Sequence, residues 1–266
     1  MSPLVPPGDV AIAVANVAVS VAAASIYLYV GKRLFDRVVS PSARLASVQL
    51  AIFWGGLGLT ILLGAFELAL ALGNAFPLPL ALTFLIALDL VAVVALWGLV
   101  GFLTYVYTGR YHVPVWGAIY AAFFVMAIYY TFAQDPSGVS FAQGAPTIVY
   151  SVAPIRWLEL VIILILVGPE LVGAVLYLSL LRRTRIQQQR SRIWLVGGGI
   201  LLWMALDIFV PGTSGGWLLV RPVLEVIPGL MTLIAFYPPS WAQRRLGLPS
   251  ATGVADLRAR EAPTDP

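Results

Sequence analysis

Seven long apolar runs divide this chain, and lysine and arginine enter only every second connection between them. The runs cover residues 8–30, 46–73, 76–107, 113–132, 155–181, 193–210 and 217–237, each bounded by Gly, Pro or charge. About 20 apolar residues in a helix cross the roughly 30 Å hydrocarbon core of a bilayer, and a helix satisfies its own backbone polar groups there. The runs therefore predict an all-α polytopic membrane protein, a seven-transmembrane-helix bundle. Connections one, three and five carry Lys32, Arg33, Arg37 and Arg44; Arg110; and Arg182, Arg183, Arg185, Arg190 and Arg192, while Arg244 and Arg245 follow the last run. Residues 1–7, 73–76, 134–154 and 211–216 have no Lys or Arg. Cytoplasmic loops carry the basic excess, so the N-terminus is expected outside and the C-terminus inside.

Composition excludes most alternatives. Hydrophobic residues make up 60% and charged residues 11% of the 266 positions, against about 45–50% and 25% in soluble domains. One soluble core cannot hide that excess, so a soluble enzyme or a disordered regulator is ruled out. Cysteine is absent, which removes disulfides, thiolate nucleophiles and cysteine-bound metals. His112 is the single histidine, so a bis-histidine haem within one chain is impossible. The +4 charge follows membrane topology and predicts no nucleic-acid partner. The first run has no basic residue before it and exceeds a signal-peptide core, so it is read as a retained helix. Residues 1–240 form the seven-helix domain in this reading. Residues 241–266 form a short interfacial segment around Trp241, Arg244 and Arg245 and a disordered cytoplasmic tail. Residues 134–154 read as a polar loop. Trp157 and Trp217 fall at outer ends and Trp116, Trp194 and Trp241 at inner ends, as interfacial anchors do; Trp54, Trp97 and Trp203 fall deeper, as packing residues.

Six of the twelve acids lie inside apolar runs: Glu67, Asp89, Glu159, Glu170, Asp207 and Glu225. Ionisable groups there cost several kcal/mol unless paired or wet, so they are the candidate functional residues. Depth counting places Glu67, Glu159, Asp207 and Glu225 in the outer part, Asp89 near the middle and Glu170 nearer the cytoplasm. Arg156 and Glu159 are i,i+3, and Arg221 and Glu225 are i,i+4, so each pair can close on one helix face. These seven residues, with Asp89, Asp207 and Glu67 included, form the expected ligand or ion site. Salt-bridged or headgroup-level acids are the competing structural reading. Pro169, beside Gly168 and Glu170, and Pro228, beside Gly229, each remove a backbone donor, which predicts kinks serving as hinges, a proton path or bent packing. Gly56, Thr60 and Gly64, and Gly197 to Gly199, favour close helix contact. Tyr120, Phe123, Phe124, Tyr129, Tyr130 and Phe132 form an aromatic wall on the fourth run.

Seven helices with an outside N-terminus have the topology of rhodopsins and G-protein-coupled receptors. The lone lysine is Lys32, at the inner end of the first helix and not within the seventh, so no retinal Schiff base can form and no cofactor is expected. Residues 180–209, with Arg182, Arg183 and Arg185, Gln187 to Gln189, Arg190 and Arg192, the glycines and Asp207, resemble the seven-transmembrane sensor modules at the N-termini of prokaryotic histidine kinases. The resemblance implies a sensor in a prokaryotic plasma membrane. Two functions follow as expectations. One is a receptor-like sensor or accessory protein with a small ligand or ion in the outer half, the lipid bilayer around it and a protein partner at Arg182, Arg183, Arg185, Arg190 and Arg192. The other is a proton- or cation-coupled transporter using Asp89, Glu159, Glu170 and Asp207 as staged carboxylates. An enzyme is not expected, because the basic loops lack clustered acids or a histidine–nucleophile pair.

Overall fold

The computed structural model describes residues 4–6, 8–36, 41–74, 76–110, 112–142, 145–209 and 217–248, with the side chains of 41–43, 113, 163, 166, 207–209, 217–219 and 221–222 outside the description. The expected tail after Pro249, the 211–216 connection and Arg37 lie outside the described residues. Eight helices and two strands are described: α1 Val10–Phe35, α2 Pro41–Leu72, α3 Leu78–Thr108, α4 Val113–Ala133, β1 Pro136–Ala142, β2 Ala145–Tyr150, α5 Arg156–Arg183, α6 Gln187–Phe209, α7 Trp217–Phe236 and α8 Ser240–Leu246. Five of them, α1 to α5, are long and apolar enough to cross a membrane, or six if the bent α7–α8 pair is one span. At about 1.5 Å per residue, the 31 residues of α3 reach about 46 Å, enough to span the apolar core even when tilted.

Local chemistry sets the ends. Pro79 lies in the first turn of α3 and Pro114 in that of α4, where a missing N–H is harmless. Gly109 ends α3 in the left-handed region at φ 69°, which glycine adopts without a Cβ penalty. Both α5 and α7 run unbroken through Pro169 and Pro228. The sharp turn falls instead between α7 and α8, where the helices meet at 77° next to Pro238 and Pro239.

Two elements differ from the sequence expectation. The 134–154 segment is a hairpin rather than a loop, so the fold is mostly helical and not purely so. Val139 pairs with Ile148, Ser140 with Thr147 and Phe141 with Pro146, and Val139, Phe141 and Ile148 turn down onto the ends of α1, α2 and α3. The period-2 alternation was short and interrupted by Pro146, which hid it in a polar-looking stretch. Asp135 opens the hairpin at φ 52°, and its carboxylate accepts from Ser151 Oγ at 2.6 Å, closing the base. Helix α6 also starts at Gln187, six residues early, because glutamine and arginine are good helix formers and neither Gly nor Pro intervenes before Gly197. The expected basic loop therefore shrinks to residues 184–186 between two helices.

Helices α1, α2, α3, α5, α6 and α7 pack neighbour to neighbour into a closed ring, with α4 set outside against α3 and α5. One end carries the hairpin; the other carries Lys32, Arg33, Arg44, Arg110, Arg182, Arg183, Arg185, Arg190, Arg192, Arg244 and Arg245, opposed among the described residues by Asp36 alone. The ring encloses a core of Tyr27, Phe53, Trp54, Leu99, Phe102, Tyr177 and Ile200. Glycine lets these helices approach. A Cβ on Gly31 would lie 2.9 Å from the Gly55 nitrogen, one on Gly56 2.6 Å from the Ala95 Cβ, and one on Gly199 3.0 Å from the Pro228 oxygen. Outward, large apolar side chains such as Val14, Phe66, Val94, Val125, Leu164 and Val175 are exposed, the arrangement a lipid-facing surface requires.

Candidate functional site

The described intramembrane acids do not converge on one point; apart from Glu67 they divide among three seams, between α1 and α7, between α4 and α5, and under the hairpin. The first seam joins α1 and α7. Tyr27 is fully buried and stacks on Trp54 of α2, ring centroids 5.3 Å apart and 9° from coplanar. Its edge fills the notch where Gly229 lacks a side chain, for a Cβ there would sit 2.8 Å from Tyr27 Cε1. Its hydroxyl donates to the backbone carbonyl of Glu225, and the half-buried Glu225 carboxylate lies within electrostatic reach of the same phenol. Proline at 228 and glycine at 229 make this seat: one disturbs the helix ladder and the other opens the groove.

The second seam, between α4 and α5, holds Glu170. It lies at the midpoint of α5, directly after Pro169, and is 3% exposed. No other described acid is as enclosed. It is within electrostatic reach of Tyr120 on α4, whose own hydroxyl is buried without a hydrogen-bond partner. Tyr120 and Phe123 are thus the inward part of the α4 aromatic wall, packed with Val93, Leu96 and Val100 of α3. Tyr129 and Phe132 point out.

The third seam lies under the hairpin. Tyr150 at the end of β2 reaches Thr131 of α4 and feels the charge of Asp89 on α3; Tyr130 beside it feels Glu159 of α5. Burial raises the Tyr150 phenol above its ordinary range, the Thr131 hydrogen bond offsets part of that, and Asp89 and Tyr130 add to it. Asp89 is half-buried, whereas Arg156 and Glu159 are both exposed on the first turn of α5. Charges so exposed gain little from each other, about 0–1 kcal/mol. Glu67 is half-buried on α2. The side chains of Asp207 and Arg221 lie outside the described residues.

At the basic end, Arg182, Arg183, Arg185 and Arg190 are exposed, and Arg183 caps the ring of Tyr107 at 5.8 Å. Arg192 differs from them. It turns partly inward toward Tyr177, and its Nε is buried without a hydrogen-bond partner. Gln49 on α2 is 3% exposed with both amide atoms unpartnered, and Thr232 on α7 is fully buried with its hydroxyl unpartnered. Tyr27, Gln49 and Thr232 were not among the expected site residues, and Tyr120 was expected only as part of the aromatic wall. The available signal was a neutral polar group inside an apolar run, which must find a helix neighbour or remain costly. Among the described residues no three His, Asp or Glu side chains are grouped to hold a metal ion. No protein family, curated protein or solved structure matches the chain.

Proposed function

We propose that this chain is a receptor-like membrane sensor or accessory protein, crossing the bilayer seven times with the N-terminus outside and the C-terminus inside. Five or six helices of membrane-spanning length and apolarity support the placement. The gathering of basic residues at the end opposite the hairpin supports the orientation. The ligand, a cation or a small amine, meets acids in the hairpin half, with Glu225, Arg221 and Asp207 on one side of the ring and Asp89, Glu67, Glu159 and Arg156 toward the other. A prokaryotic plasma membrane is the setting that the sensor resemblance implies. One observation carries the reading: Glu225 supplies both an intramembrane carboxylate and the carbonyl that receives Tyr27. Occupancy at that acid therefore bears on the α1–α7 seat, and α7 leads directly into the basic end, where exposed Arg182, Arg183, Arg185 and Arg190 face a partner. A ligand moves such an equilibrium only through a difference in affinity between its two states.

The test is thermal unfolding of the purified protein against cations, lipophilic amines and small metabolites. A bound ligand raises stability as RT ln(1 + [L]/Kd), and E225Q removes the shift. A shift that survives E225Q and D207A places the ligand elsewhere, and a panel without any shift removes the sensor reading. Proton- or cation-coupled transport is the second reading, favoured by the burial of Glu170 at mid-helix beside Tyr120. Liposomes with an internal pH dye decide it: E170Q abolishes proton flux if Glu170 carries it, and wild-type vesicles without flux discard it.

A further inference from the structure

Helix α8 presents a surface that neither reading uses. It leaves α7 at 77° and runs across the basic end of the bundle. Ala242 is fully buried against the bundle, and Leu248 just beyond is 3% exposed. Ser191 of α6 donates to the Leu246 carbonyl at 2.9 Å, Gln243 Nε2 donates to the Pro238 carbonyl at 2.9 Å, and Gly247 ends the helix at φ 63°. The helix is therefore held in place at both ends. On its opposite face Trp241, Arg244 and Arg245 are exposed. Their i,i+3 and i,i+4 spacing puts both guanidinium groups on the side of the indole. Together they line a shallow groove that is open to its surroundings.

We propose that this groove binds the phosphate headgroup of an anionic phospholipid. Guanidinium forks fit phosphate oxygens with paired hydrogen bonds, and their aliphatic stems tolerate an apolar boundary. Tryptophan belongs at the depth where headgroup meets acyl chain. Charge complementarity points the same way, because Asp36 is the single described acid at this end of the bundle. A free phosphate ion matches the two arginines but not the half-exposed indole beside them. The proposal rests on the bundle crossing a bilayer and is independent of whether it senses or transports.

The full-length protein in detergent is titrated with short-chain phosphatidylglycerol, phosphatidylcholine of equal chain length, or inorganic phosphate, and occupancy is read by native mass spectrometry. Phosphatidylglycerol should bind at least about tenfold more tightly than phosphatidylcholine, and R244Q/R245Q should erase the preference, since two charge-assisted contacts disappear. R44Q/R110Q, which removes two exposed charges from the same end, should preserve it. W241L should weaken both lipids. Equal binding of the two lipids, a preference retained in R244Q/R245Q, or displacement of phosphatidylglycerol by equimolar inorganic phosphate would each overturn the proposal. R244K/R245K keeps the charge and loses the fork; it should retain only part of the preference, and it gives the answer should the glutamine variant not fold.

Discussion

Replacing Gly229 by alanine tests the α1–α7 seat at its tightest point. The new methyl would stand 2.8 Å from Tyr27 Cε1 and 3.0 Å from Cδ1, so the ring must retreat by about 1 Å to reach ordinary van der Waals contact. Retreat is obstructed. Tyr27 has no exposed surface, Trp54 lies flat against it, and its hydroxyl is held by the Glu225 carbonyl. Overpacking of this kind costs about 1–3 kcal/mol. A displaced hydrogen bond adds about 0.5–1.5 kcal/mol, and a disturbed aromatic pair a similar amount. Against these, Gly→Ala in a helix recovers at most about 1 kcal/mol. These terms overlap, and the expected net loss is about 2 kcal/mol. The assay is detergent-solubilised unfolding, by heat or by graded denaturing detergent, with G64A as the control because a Cβ there meets nothing within 4 Å. In a Y27L background the ring edge is gone, so G229A should cost nothing further, a coupling of about 1–2 kcal/mol in a double-mutant cycle. A G229A protein as stable as G64A, or a G229A cost unchanged by Y27L, would refute the seat.

Other outcomes follow from the same packing. G56A should destabilise by about 1–3 kcal/mol through its 2.6 Å clash with the Ala95 Cβ, read as a lower unfolding midpoint, whereas G55A should not, since a Cβ there meets nothing within 4 Å. F141A and I148A should loosen the hairpin from the helix ends that it covers; limited proteolysis within the strands Pro136–Ala142 and Ala145–Tyr150 should then accelerate while the helical circular dichroism persists. E170Q replaces the most enclosed of the described acids by a neutral group of the same shape and should leave stability within about 1.5 kcal/mol of wild type, because the packing around it is kept. A marked loss of stability would mean instead that the ionised carboxylate is itself held by the fold.

The helical class and the rough limits of most helices were legible in the sequence because one physical rule governs them: a bilayer demands long apolar helices, and Gly, Pro and charge mark their ends. The expected run 113–132 and the observed α4 agree within one residue. Where a second physical rule competed, the reading slipped. Residues 187–192 carry charge and amide groups, which topology assigns to a loop, yet their helix propensity extends α6 outward. The hairpin strands are too short and too interrupted for a period-2 signal to outweigh their polar setting. For the site, acids could be located along each helix but not around it. Glu159 and Glu170 lie on one stripe of α5 by the 100° rule, yet one is exposed and the other 3% exposed, because α4 and α3 cover only part of the helix's length.

The position of Tyr27 shows why the proline-bearing helix α7 matters more than the number of acids. A proline inside a helix weakens its ladder whatever surrounds it, so α7 is the element whose shape is least fixed by its own backbone. The ring supplies what the backbone lacks: Tyr27 from α1 fills the Gly229 notch, Gly199 of α6 admits the Pro228 carbonyl at 3.0 Å from a notional Cβ, and Tyr237 at the far end donates to the Arg33 carbonyl at 2.6 Å. Three points along α7 are thus set by neighbours on two sides. A helix positioned by its neighbours responds when one of them moves, and Glu225 lies one turn from the first of those points. Beyond the third, the chain bends into α8 and its arginines. Glu225 is thus joined to the bend before α8 by the last eleven residues of α7, about 17 Å of helix, and those are the residues that Tyr27, Gly199 and the Arg33 carbonyl hold in place.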